Sequence, residues 1–252
     1  MRAWWPWMAC STFTLACGSD PAGPAPAPAD PAPAEAAPTL SPCAEGTYRA
    51  GSADCEPFPS LSIAPSDARI APVRDHHVTM VIEAGGPFLY VLGGTDGWRV
   101  VHDDVQRARI GEDGALGPFE PAGKLPEPRA GHCAVPLGGG RVFVAGGVLG
   151  EGRPVRSTRI AHVGADGKLE GFEPGPELPL AVMHLTCEVH RGWVYALGGR
   201  GAKSRSTAMS ARARIREDGT VGPFEDGPPL APDRSHHASF VRGDRLYVLG
   251  GL

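Results

Sequence analysis

Short apolar runs that end in two glycines recur along most of the chain. Leu-Tyr-Val-Leu-Gly-Gly at 89–94 returns as Val-Phe-Val-Ala-Gly-Gly at 142–147, Val-Tyr-Ala-Leu-Gly-Gly at 194–199 and Leu-Tyr-Val-Leu-Gly-Gly at 246–251. The interval is 52 or 53 residues, and other landmarks keep the same beat: Asp-Gly at 113, 166 and 218, and Phe-Glu at 119, 172 and 224. A histidine opens each unit at His77, His132, His184 and His237. Fixed periods of about 50 residues with short strands mark a ring or array of repeated sheets.

Within a unit the pattern has period two, which predicts strands. The run after the histidine alternates apolar and small residues, as in Leu185-Thr186-Cys187 and Ala238-Ser239-Phe240, and suits an innermost strand crowded at an axis. The diglycine strand follows. A third strand puts alanine and an aliphatic residue on one face and mostly Arg or His on the other, as in Arg212-Ala213-Arg214-Ile215. Asp-Gly supplies a hairpin turn. The fourth strand carries Phe119, Phe172 and Phe224 and is interrupted by Pro118 and Pro223, which an outermost edge strand tolerates. The expected fold is all-β, with about three and a half four-stranded blades in an incomplete ring over residues 61–252. Leu61–Ala64 stands in the phase of an outermost strand and offers one way to close a small ring.

The diglycine after an aromatic-containing strand and the Leu-Pro-x-x-Arg-x-x-His connection between units resemble the kelch-repeat β-propellers. Arg74, Arg129 and Arg234 keep the Arg-x-x-His spacing, whereas Ala181 breaks it in the third unit. Phe119, Phe172 and Phe224 stand where kelch units usually carry tryptophan. The resemblance covers residues 74–252 and implies a six- or seven-bladed ring of which this chain holds part.

The first 60 residues have another character. Residues 1–17 read as a secretory signal: one Arg2, then an apolar run shorter than the roughly 20 residues a membrane span needs. The end at Thr14-Leu15-Ala16-Cys17 resembles a bacterial lipobox, which implies lipidation of Cys17, with plain secretion as the alternative. Residues 18–41 are rich in Pro and Ala and read as an extended tether. In segment 42–60, Cys43 and Cys55 are expected to form a disulfide, as befits an exported chain. Cys133 and Cys187, one and three residues after their histidines, take the same strand phase and are expected to be free and buried.

A net charge of −4 gives no basic footprint for nucleic acid. No nucleophile elbow, zinc-protease motif or phosphate loop is present, and no cofactor is expected. Nor is a metal site, because the repeat phase accounts for the histidines as scaffold. The variable loops that follow the diglycines share a rim with the Arg-x-x-His connections, and ligand recognition belongs on such loops. Trp98 and Arg99 are the leading binding candidates, with Arg74, Arg129 and Arg234 beside them. Two functions remain open: a non-catalytic scaffold that binds a protein or glycan at the cell envelope, membrane-linked only through its lipid, or a sugar-converting enzyme similar to the periplasmic sialic-acid mutarotases.

Overall fold

The computed structural model describes residues 43–44, 47–49, 54–57, 66–83, 85–97, 99–150 and 152–252. The chain divides into two units, Met1–Ser62 and Ile63–Leu252. In the first, β1 (Thr47–Arg49) and β2 (Cys55–Pro57) pair antiparallel, and Cys43 is bonded to Cys55 as expected. Cys17, Trp98 and Leu61–Ala64 lie outside the described residues.

The second unit is an incomplete β-propeller of three and a half blades. Blade 1 is β3 (Val78–Ile82), β4 (Phe88–Leu92), β5 (Asp104–Arg109) and β6 (Glu120–Lys124). Blade 2 is β7 (Cys133–Gly138), β8 (Arg141–Ala145), β9 (Thr158–Val163) and β10 (Leu169–Pro174). Blade 3 is β11 (Thr186–His190), β12 (Trp193–Leu197), β13 (Ser210–Ile215) and β14 (Val221–Asp226), and β15 (Ala238–Arg242) and β16 (Arg245–Leu249) form the half blade. Within each blade, sequential strands pair antiparallel. β14, which carries Pro223, is outermost in its blade as expected; β6 is also outermost but begins at Glu120, so Pro118 and Phe119 precede it, and the innermost β7 carries Pro136. β6 meets β10 through one parallel pairing, Gly123 with Leu169.

Strand alternation turns each blade into a two-faced layer. In blade 2, Ala134, Val142, Val144 and Ala161 pack against Met80, Ile82, Tyr90 and Leu92 of blade 1. Their neighbours Cys133, Phe143, Ala145 and Ile160 face the other way, onto Leu185, Cys187, Val194 and Ala196 of blade 3. Phe172 and Phe224 plug the first and second of these interfaces. The Asp-Gly hairpins are built alike: the carboxylates of Asp113, Asp166 and Asp218 accept the backbone N–H two residues on. They also tie blades together, because Tyr90 and Arg107 donate to the carbonyls of Gly167 and Asp166, and Arg141 donates to that of Asp218.

The diglycines join each blade to the next. The second glycine of each pair donates its N–H across the interface: Gly94 to the Arg129 carbonyl (2.8 Å), Gly147 to Val182 (2.8 Å) and Gly199 to Arg234 (2.9 Å). The first glycine is left-handed and lies directly under the next connection. A Cβ on Gly93, Gly146 or Gly198 would sit 2.2, 2.7 or 2.4 Å from the same carbonyl oxygens. The covering side chains are His132 over Gly93, Leu185 over Gly146 and His237 over Gly198.

That geometry corrects the phase of the third unit. Leu185, not His184, is the counterpart of His77, His132 and His237, and Val182, not Ala181, stands in the arginine position. Cys187 is therefore two residues past the phase position, while Cys133 is one past it. The two thiols point toward each other across the blade 2–blade 3 interface, with Cα atoms 5.7 Å apart, and are bonded, contrary to the expectation of free cysteines. Non-reducing peptide mapping is expected to give a 133–187 linked peptide beside the 43–55 one. Cys133→Ala combined with Cys187→Ala should lower unfolding free energy by about 4 kcal/mol, the chain-entropy contribution for a closed loop of this length.

Candidate functional site

The connections between blades bring a second set of histidines to the axis. His76, Gly131, His184 and His236 occupy one position in the four units, each just before the residue that covers or matches the diglycine phase. All four are left-handed, with φ of 49°, 61°, 55° and 55°. Non-glycine residues rarely adopt this conformation, so three histidines in it mark a constrained spot. Backbone hydrogen bonds step from blade to blade around the axis: Gly131 N–H to His76 O (2.7 Å), His184 N–H to Gly131 O (2.6 Å) and His236 N–H to His184 O (3.1 Å).

The three imidazoles meet. His184 stacks on His236 with ring centroids 3.8 Å apart, and His76 lies 4.7 Å from His184 and 6.3 Å from His236. Gly131 leaves the room: a Cβ there would come within 3.0 Å of the His184 ring. His236 is exposed and the other two are half-buried, so solvent reaches the cluster. Burial, then the neighbouring His236, His76 and Arg200, holds His184 down to about 3. Burial and the charge of Arg200 also lower His236. Among the described residues, no three His, Cys, Asp or Glu side chains are disposed to hold a metal ion.

The arginines singled out in the sequence serve the scaffold. Arg74 donates to the Gly93 carbonyl and pairs with Asp104 at 2.6 Å. Arg129, 1% exposed, donates to the carbonyls of Gly146 and Ser157 and pairs with Glu127. Arg234 donates to the Gly250 carbonyl. Each thus ties the connection to the diglycine of its own blade. Arg99 is exposed on its loop, with its N–H on the Asp96 carbonyl. No family profile matches the chain, and no curated protein shows significant similarity to it.

The loops after the diglycines do share the rim of the axial histidines. Bridges join Asp75 to Thr95, Ala130 to Val148 and Met183 to Arg200. The loops of blades 2 and 3 border an open cleft of about 470 Å³ lined by Arg153, Pro154, Met183, Lys203 and Ser204. Sequence reasoning missed the axial trio because it aligned His184 with the wrong neighbours. The available signal was spacing: 13 residues separate Leu185 from Gly198, as they separate His237 from Gly250.

The buried histidine of the scaffold sets a pH limit on stability. His132 is fully enclosed, neither ring nitrogen has a hydrogen-bond partner, and burial followed by the Arg129 charge holds it down to about 3. The folded state keeps it neutral while the unfolded chain protonates it below about 6.5, so stability is complete above 6.5 and falls toward pH 3. Chemical denaturation from pH 7.5 to 4 is expected to show this decline. His132→Leu, which copies the natural Leu185, should make the decline shallower, the remainder coming from His184 and the other histidines whose burial lowers them, and cost less than about 1 kcal/mol at pH 7.5.

Proposed function

We propose that this chain is an exported kelch-type propeller that acts as a non-catalytic binding scaffold, held at a bacterial envelope through Cys17 and displayed on the Pro/Ala tether. One observation carries the reading: three loops of unrelated sequence, 95–102, 148–155 and 200–205, are held on one rim by a repeated framework. A rigid frame with divergent loops suits recognition. Two disulfides agree with an oxidising compartment. The mutarotase alternative draws less support, since the guanidinium groups of Arg74, Arg129 and Arg234 are engaged by their own blades.

Glycan-array and envelope-protein binding by the whole chain tests the reading. Saturable binding that drops at least about tenfold on joint Trp98→Ala and Arg99→Ala substitution, with thermal stability unchanged, is the expected result. Catalysed exchange between sugar anomers, followed by NMR, would replace it with the enzyme reading. Cys17→Ser should release the protein from membranes.

A further inference from the structure

The last diglycine strand repeats the first residue for residue. Leu89–Gly94 and Leu246–Gly251 both read Leu-Tyr-Val-Leu-Gly-Gly, and both lie in the second strand of their sheets, β4 and β16. Their surroundings differ. Tyr90 and Leu92 are 0% exposed and pack with Met80 against Val142, Val144 and Ala161 of blade 2. Tyr247 is 38% exposed, Leu249 55%, and Phe240, the counterpart of Met80, 42%. Phe240 and Tyr247 stack on each other with ring centroids 5.0 Å apart. The glycines show the same contrast: a Cβ on Gly93 would run into the Arg129 carbonyl of the next connection, whereas one on Gly250 would meet nothing within 4 Å. The opposite face of the half blade is occupied, with Ser239 donating to Glu188 of blade 3. The half blade thus presents, uncovered, the face that blade 1 lays against blade 2.

The same chain carries the complementary face. Thr79, Leu89, Val91 and Ala108 of blade 1 stand where blade 2 has Ala134, Val142, Val144 and Ala161, and Arg74 stands where its connection has Arg129. Val91 and Ala108 are buried, but the strip nearest the axis is open: Thr79 and Val81 on β3 and Val73 in the connection are exposed. Neighbouring sheets meet through that innermost strip, β3 beside β7, β7 beside β11 and β11 beside β15. Val73, Val81, Phe240, Tyr247 and Leu249 are most of the large apolar side chains exposed among the described residues, and exposed apolar surface gathered in this way marks an interaction site. Charge matches as well. The half-blade face continues to Arg242 and Arg245, with Asp244 in the turn between them, and the blade 1 strip continues past Val81 to Glu83. All three side chains, Glu83, Arg242 and Arg245, are exposed.

We propose that the half blade of one copy of this chain packs onto blade 1 of a second copy, repeating between chains the contact that joins blades within one. Phe240, Tyr247 and Leu249 meet Val73, Thr79 and Val81, Arg242 and Arg245 face Glu83, and the Arg74 connection of the second copy lies over Gly250 and Gly251. The two faces differ, so the contact is head-to-tail, and two copies that offer both faces to each other form a closed pair. Removal of the apolar side chains from water drives the association, and the arginine–glutamate match fixes its register.

The experiment is sedimentation velocity of the whole chain over a range of concentrations, with no ligand present, so its outcome is separate from that of the scaffold reading. The expected result is a reversible, concentration-dependent pair. Leu249→Asp and Val81→Asp, both at exposed positions, should each weaken it at least about tenfold. Gly250→Ala should do the same, because its methyl group takes the place of the incoming carbonyl; at dilutions where the chain is single it bears only its backbone cost. Mixing Leu249→Asp with Val81→Asp leaves one intact face on each chain and should restore a pair holding one copy of each. Thermal unfolding of the dilute variants checks that they fold. Glu83→Arg, which spares the apolar strip, should also weaken the pair and decides the matter if an aspartate variant fails to fold. Three results would overturn the proposal. One is a chain that stays single at every concentration. Another is a pair that survives Val81→Asp alone, as half blade against half blade would. The third is a single chain that Leu249→Asp destabilises, which would assign the open face to a segment of the same chain.

Discussion

Everything in the propeller depends on the contact in which one blade lays a backbone carbonyl and a bulky side chain onto the diglycine of its predecessor. The carbonyl accepts the N–H of the second glycine, and its oxygen occupies the space where a Cβ of the first would be. Since a blade is apolar on both faces, this contact sets how closely neighbours approach and which residues interdigitate in the two cores. Arginine strengthens it from within: Arg74, Arg129 and Arg234 fix the connection by donating to the carbonyl of their own first glycine.

The axial site follows from the same contact. Once the residue over the diglycine is placed, the residue before it must turn inward with positive φ, and the blades deliver those residues to one spot. Three are histidines, and the fourth is Gly131, whose missing side chain admits the His184 ring. Burial and neighbouring positive charge favour the neutral form of His184 and His236. A cluster formed from separate blades is sensitive to their spacing.

The repeat, the strand order, the Asp-Gly hairpins and the outermost place of the strand with Pro223 were legible in the sequence, because period-two alternation and glycine each have direct backbone consequences. The Cys133–Cys187 bond and the axial trio were not. Both hinge on a one-residue phase, which an extra residue in β7, where the register shifts between Pro136 and Gly138, obscures. Leu185 carries no polar mark to show that it does the work of His132. The three arginines were read as a rim resource, yet their partners are carbonyls that sequence cannot reveal, since those carbonyls belong to every residue type.

Comparing the unfolding free energies of Gly146→Ala and Gly250→Ala tests the interblade contact most directly. Both glycines are left-handed, at φ 65° and 66°, so both substitutions carry the same backbone cost of about 1 kcal/mol. A Cβ at Gly146 would meet the Val182 carbonyl at 2.7 Å and Leu185 at 2.9 Å, while at Gly250 nothing lies within 4 Å. The predicted result is a loss of at least about 3 kcal/mol at 146 against about 1 kcal/mol at 250. Equal losses at the two positions would contradict the account.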